Sequence, residues 1–278
     1  MADSKSLDGQ MLAEAIGLED AGEALEMVRG LLGSGVDVNA VGWDGTHPLS
    51  RAVWVERWDV TRLLLDRGAV RCAESPYQDD PLVGLTIEGP LDLLDNLLER
   101  CGGWESLVGD INGEPFVTVQ PLTNLIRDSN YERIELLWDR GIGVLLDVPS
   151  TPFGMTPLAE ASDSSDVRGV RWLLGRKADV NAQFEFAISY TALEYAVGNK
   201  HVEITRLLLE AGANPNIPTW MWNTAVDRIA KSPSKSKPDD PGKTAMRTIR
   251  DLVLAASSRF PPPTYPDGSR PKVWPPGD

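Results

Sequence analysis

Thr156-Pro157-Leu158 is the stretch whose reading decides the fold, because variants of it recur along the chain. They are His47-Pro48-Leu49, Asp80-Pro81-Leu82, Gln120-Pro121-Leu122, Thr191-Ala192-Leu193 and Thr224-Ala225-Val226. The third residues stand at 49, 82, 122, 158, 193 and 226, separated by 33, 40, 36, 35 and 33 residues. Self-similarity at such a period marks a stack of supersecondary units, none of which can bury its apolar side alone. Each triplet has a local logic. Thr or Asp in first place accepts hydrogen bonds from the unpaired N–H groups that open a helix. Proline in second place sacrifices an N–H that has no helical partner anyway. The apolar third residue begins a buried stripe, continued by Ala52, Leu85, Ala161 and Ala196.

A second helix follows in the same units, read from Val60 to Leu65, Ile134 to Leu137, Val170 to Leu174 and Ile204 to Leu209. Apolar residues recur there at helical spacing and give each helix a face for its neighbour. Gly68, Gly141 and Gly212 come just after these helices, where a left-handed terminating residue is expected.

The joining segments carry a family resemblance. Gly35-Val36-Asp37-Val38-Asn39-Ala40, Lys177-Ala178-Asp179-Val180-Asn181-Ala182 and Gly212-Ala213-Asn214-Pro215-Asn216 resemble the helix-to-finger junction of the ankyrin repeat family. Val202 to Gly212 is similar to that family's second helix. The resemblance implies an all-α ankyrin-repeat solenoid of helix-turn-helix units with finger loops, about six to seven repeats including degenerate caps. Expected boundaries are an N-terminal cap at about 6–40, repeats at about 41–222, a C-terminal cap at about 223–258 with a loop at 231–243, and a Pro-rich tail at 259–278. The sequence also departs from the family. No triplet is followed by histidine; Ser50, Val83, Thr123, Ala159, Glu194 and Asp227 stand there instead. His47 and Gln120 are poor caps, and residues 101–119 read as a long irregular insert. The tail, basic and bearing Tyr265 and Trp274, favours an extended polyproline conformation and is expected to be disordered, with folding against the acidic body as a sharper alternative.

Formal charge is −14, unevenly distributed: residues 231–278 carry +4 and residues 1–230 carry −18. An acidic body repels phosphate backbones and attracts cationic partners, so nucleic acid is not an expected ligand. No run of apolar residues approaches a membrane span, no secretory leader is legible, and a cytoplasmic or nuclear monomer is the expectation. Cys72 and Cys101 make no metal-ligand spacing, so no metal or cofactor is expected.

In the resembled family, finger tips and first helices line a concave surface that meets partners. Carried onto this chain, that surface selects Trp43, Asp44, Tyr77, Asp79, Phe153, Met155, Phe184, Glu185, Phe186, Tyr190, Trp220 and Trp222, with Gln78 and Met221 between them. Exposed rings anchor interfaces, and neighbouring carboxylates select a cationic group. Trp54, Trp58, Trp138 and Trp172 fall at helical spacing and read as core or helix-surface packing. The resulting expectation is a protein- or peptide-binding scaffold with an acidic, aromatic groove. A second reading is a small-molecule enzyme of the acid/base isomerase or cyclase type using the same groove. Its candidate catalytic residues are Asp44, His47, Asp80, Glu194 and Asp227, because they flank the triplets. Other carboxylate pairs, including Asp79-Asp80, read as solvated surface.

Overall fold

The computed structural model describes residues 4–70, 80–111, 114–117, 120–150, 154–183, 190–218, 224–230 and 241–261. They fall into two compact units, Met1–Leu107 and Val108–Asp278. The first holds α1 (Ser4–Ile16), α2 (Ala21–Gly33), α3 (Pro48–Trp54), α4 (Trp58–Asp66), α5 (Pro81–Ile87) and α6 (Leu91–Cys101). The second opens with β1 (Val108–Ile111) and β2 (Glu114–Val117), then α7 (Pro121–Arg127) and α8 (Tyr131–Trp138). It continues with α9 (Pro157–Asp163), α10 (Val167–Gly175), α11 (Ala192–Gly198), α12 (Val202–Glu210), α13 (Ala225–Ala230) and α14 (Pro241–Ser257).

Within each unit the short first helices of successive pairs pack in one row and the second helices in another. In the first unit, α1, α3 and α5 form one row and α2, α4 and α6 the other. In the second unit α7, α9, α11 and α13 follow one another, while α10, α12 and α14 stack behind them. The core is the seam between the rows. Leu49, Leu82, Leu122, Leu158, Leu193 and Val226, the third residues of the six triplets, are all buried there. Ala52, Ala161 and Ala196, one turn on, are small enough for adjoining helices to approach closely.

The start signals behave as their chemistry requires. The side chains of Asp80, Thr156 and Thr191 accept from Leu82, Ala159 and Glu194 N–H groups. His47 and Gln120 make no capping bond. Gln120 is buried and donates instead to the Val148 carbonyl at 2.7 Å, tying α7 to the segment before α9.

The stop signals repeat just as regularly. Gly35, Gly68, Gly141 and Gly212 have φ of 97°, 88°, 86° and 96°. Just beyond the left-handed residue, the N–H of Val36, Ala69 or Ala213 returns to a carbonyl five residues back, at Leu31, Leu64 or Leu208. Lys177 fills the same place with φ of 67°, and Ala178 bonds to Leu173 in the same way. A β-carbon in that region costs about 1–2 kcal/mol, partly offset by the lower backbone entropy of a non-glycine residue, about 0.5–1 kcal/mol. Lys177→Gly is therefore expected to stabilise the protein by about 0.5–1 kcal/mol. A urea titration should show a higher midpoint at unchanged slope; a lower midpoint would refute the strain.

The junction motif has a defined mechanical role. Asp37 and Asp179 accept from the N–H groups of Asn39 and Asn181, at 3.0 and 2.9 Å, and so fix the tight turn. Asn39 then accepts from Val70 N–H at 3.0 Å, and Asn181 from Asn214 N–H at 2.7 Å. Each asparagine thus clips its junction to the corresponding junction of the next repeat. Asn216 closes the series: its buried amide reaches the carbonyls of Ser257 and Pro261 at 3.2 and 2.9 Å, fastening the end of α14.

Second helices are also joined from repeat to repeat. Arg62 on α4 meets Asp92 on α6 at 2.6 Å, and Arg171 on α10 meets Glu203 on α12 at 2.8 Å, the same helix positions in each case. Arg176 lies 4.5 Å from the ring centre of Trp138 and 4.7 Å from that of Trp172. It also pairs with Glu135 at 2.6 Å, and the Trp172 indole donates to the same carboxylate. Trp138 and Trp172 meet edge to face at 5.2 Å, so their place is packing on the second-helix surface, as helical spacing implied.

Three expectations are corrected. The segment from 101 to 119 is not irregular throughout: a 3-10 turn at Trp104–Leu107 buries Trp104, and β1 pairs antiparallel with β2, Val108 opposite Val117. The fold is thus helical but for one short hairpin among the described residues. The last helix begins at Pro241, inside the expected 231–243 loop, because proline is well placed in a first helical turn. Asp80 is buried rather than solvated, since it caps α5. The tail beyond Pro261 lies outside the described residues.

Candidate functional site

In the first unit the finger before α3 brings three of the selected residues together. Gly42 N–H bonds to the Thr46 carbonyl at 3.1 Å and Gly45 turns with φ of 81°, giving a tight tip. Asp44 accepts from Thr46 N–H at 2.9 Å and faces Arg51 at 3.4 Å. The Thr46 backbone hydrogen bond, aided by Arg51, holds the Asp44 carboxyl below its ordinary range. Trp43 is held out on this tip with 63% of its surface exposed, more than any other large apolar side chain among the described residues. His47 is half-buried at the start of α3.

In the second unit, Tyr190, Glu194 and Asp227 come together around α11 and α13. Tyr190 meets Tyr195 edge to face at 5.5 Å, and the Arg228 guanidinium lies 5.2 Å from the Tyr190 ring centre. Thr191 and Glu194 form a reciprocal capping box at the start of α11. Asp227 accepts from the Thr224 N–H at 2.9 Å and its own N–H donates to the Thr224 hydroxyl at 3.1 Å. Met155 is half-buried and its carbonyl accepts from Ser150 N–H at 3.0 Å.

The candidate acid/base residues therefore have a common occupation. Asp80, Glu194 and Asp227 hydrogen-bond to the N–H groups that open α5, α11 and α13. Asp44 closes a finger turn. Glu194 is the chemically unusual member. It is buried, one carboxyl oxygen has no hydrogen-bond partner, and burial pushes its pKa up to about 8 against the pull of Thr191 and Arg228. Burial likewise pushes the Tyr195 hydroxyl up to about 12. Tyr77, Asp79, Phe153, Phe184, Glu185, Phe186, Trp220 and Trp222 lie outside the described residues, as do Gln78 and Met221.

Two residues of the second-unit cluster, Tyr195 and Arg228, were not selected from sequence. A signal for them exists. Residue 51 and its counterparts 84, 124, 160, 195 and 228 are Arg, Gly, Asn, Glu, Tyr and Arg, all half-buried on the first helices while the residues on either side are largely buried. Variation at one fixed repeat position, amid an invariant apolar stripe, is what a displayed surface looks like.

No helix among the described residues is long and apolar enough to cross a membrane.

Comparison with known proteins gives the same picture. Residues 189–220 match the Ankyrin repeat family model. The structure is similar to the ankyrin repeat domain of Bcl-3, a member of the IkappaB protein family, with 21% identity and a TM-score of 0.61, over 87% of this chain and 97% of that one. It is also similar to the human ASB11 ankyrin repeat domain, with 22% identity and a TM-score of 0.57, over 86% of this chain and 96% of that one. No curated protein sequence matches. Ankyrin repeat domains are generally protein-interaction scaffolds. With its recurring capped helix pairs, glycine stops and asparagine clips, this chain has the ankyrin-repeat solenoid fold.

Proposed function

We propose that the protein is a binding scaffold that takes a basic protein or peptide on its finger and first-helix surfaces. The observation that carries this reading is Trp43, a large ring left 63% exposed on a tightly hydrogen-bonded finger tip beside an ionised Asp44. A rigid support keeps the ordering cost of such a ring small, and burial under a partner releases a large apolar area. The adjacent carboxylate and the excess of acid over residues 1–230 favour a cationic partner.

The test is selection of a random peptide display library on the intact protein, followed by affinity measurement on Trp43→Ala. Enriched peptides are expected to be rich in Lys or Arg, and to bind the variant at least about tenfold more weakly, the loss typical of an aromatic anchor. The variant's melting temperature should stay within a few degrees of the parent, since the ring supports no core. Peptides without basic residues, or with equal affinity for the variant, would overturn the proposal.

A further inference from the structure

A second feature of the first unit lies away from the finger, where α3 and α5 end. Val53, Trp54, Glu56, Trp58, Gly84, Ile87 and Glu88 line a cavity of about 160 Å³. A β-carbon at Gly84 would lie 2.5 Å from Cγ1 of Val53, so glycine lets α5 come close to Val53 of α3 beside this space. Trp54 keeps 44% of its surface exposed and Trp58 is half-buried. Both tryptophans therefore line a depression that no side chain among the described residues fills.

Charge selects the occupant. Glu56 and Glu88 are both exposed, and among the described residues neither makes an ion pair. Neighbouring arginines along the chain are engaged elsewhere. Arg51 faces Asp44, Arg62 pairs with Asp92, and Arg57 donates to the carbonyls of Leu18 and Glu19. Two exposed carboxylates and two tryptophans thus line one depression, with no cation paired to either carboxylate among the described residues. Indole faces attract cations through their quadrupole, and a carboxylate nearby adds direct attraction. The volume is well below the roughly 300–1,000 Å³ of drug-sized sites, which suits the end of one side chain.

We propose that this cavity binds the alkylammonium end of a lysine side chain presented by a partner protein. Lysine fits better than arginine on shape, because its compact charge sits at the tip of an apolar stem that Val53 and Ile87 can cover, whereas a planar fork is built for paired carboxylate bonds. The inference rests on the scaffold reading above but uses different residues, so the two can fail separately.

The experiment uses the full chain and three short polar peptides that differ at one central position. That position carries lysine, trimethyllysine, or the neutral tert-butyl isostere of trimethyllysine. Indole N–H resonances of Trp54 and Trp58 are followed by NMR, after assignment with Trp54→Phe and Trp58→Phe. One or both ammonium peptides should shift both resonances saturably, and the neutral isostere should bind at least about fivefold more weakly, as the loss of a cation–π contact requires. A response to trimethyllysine alone identifies the modified side chain as the occupant; a response to both, the unmodified one as sufficient. Glu56→Gln with Glu88→Gln should weaken the ammonium peptides about three- to tenfold and flatten their salt dependence. Trp43→Ala should leave this binding unchanged, which separates it from the finger surface. Equal response to the neutral isostere, or no shift with either ammonium peptide, would overturn the proposal.

Discussion

Gly9→Ala is expected to destabilise the protein by about 2–3 kcal/mol, although alanine is the better helix former by about 1 kcal/mol. Gly9 lies inside α1, and a β-carbon there would stand 2.1 Å from the Val41 carbonyl oxygen and 2.7 Å from Gly42 N. Those atoms are backbone of the first junction, so relief requires α1 or the finger bearing Trp43 to move. Overpacking of that kind typically outweighs a propensity gain. Gly30→Ala in α2 is the control. A β-carbon there meets nothing within 4 Å, so propensity acts alone and the substitution should stabilise by about 0.5–1 kcal/mol. Urea titrations of both variants check the pair. Opposite signs are expected; a shared sign would mean that α1 does not press on the finger. Because α1 also packs on α2 and α3, amide exchange in Gly9→Ala should rise first in α1.

Much of this architecture is legible in the residues because its signals are local. A cap such as Thr156, a proline at the first helical turn and a left-handed glycine such as Gly68 each act within one turn of chain. Their period then delivers the stacking. What stays hidden depends on contacts between repeats. Nothing local shows that Asn39 and Asn181 clip one junction to the next, or that Gln120 would span to Val148. Asp80 looks like surface beside Asp79, yet capping draws it into the core. The hairpin at Val108–Val117 escaped because four-residue strands are too short for alternation to stand out. Trp104 within the same insert is buried, and one aromatic in an apparently irregular segment carries no address.

The exposed positions show the same division. Trp43 is selectable from sequence because its place just before the triplet is fixed. The Trp54–Trp58 cavity is not, since residues of both α3 and α5 line it and only their packing brings them together. Tyr195 and Arg228 sit between these cases. Their repeat position is readable, but their meeting with Tyr190 depends on packing of α13 against α11. Local chemistry thus names the positions that face outward, and tertiary contact decides which of them act together.

Glu194 makes that dependence measurable. Its position follows the triplet, where neighbouring repeats carry Ser50, Val83, Thr123 and Ala159, all buried. A carboxyl placed in such a slot loses its hydration, and only Thr191 N–H supports one oxygen. Asp227 adds repulsion, and Arg228 recovers part of the loss. The outcome is a carboxyl raised from 4.5 to about 8. The folded state consequently holds a proton that the unfolded chain has released. Stability from this residue is complete below about pH 4.5 and is lost as the pH rises through the folded value. The total is on the order of 3–5 kcal/mol. Glu194→Gln keeps an oxygen for Thr191 N–H and cannot ionise. Near pH 4.5 the two proteins should have similar unfolding free energies, and by pH 9 the variant should be more stable by about 3 kcal/mol or more. The comparison requires urea titrations at pH 4.5, 7 and 9, with the difference between proteins cancelling every other titrating group. Parallel curves would show that the carboxylate is hydrated in the folded protein, and that the slot after the triplet is open to water.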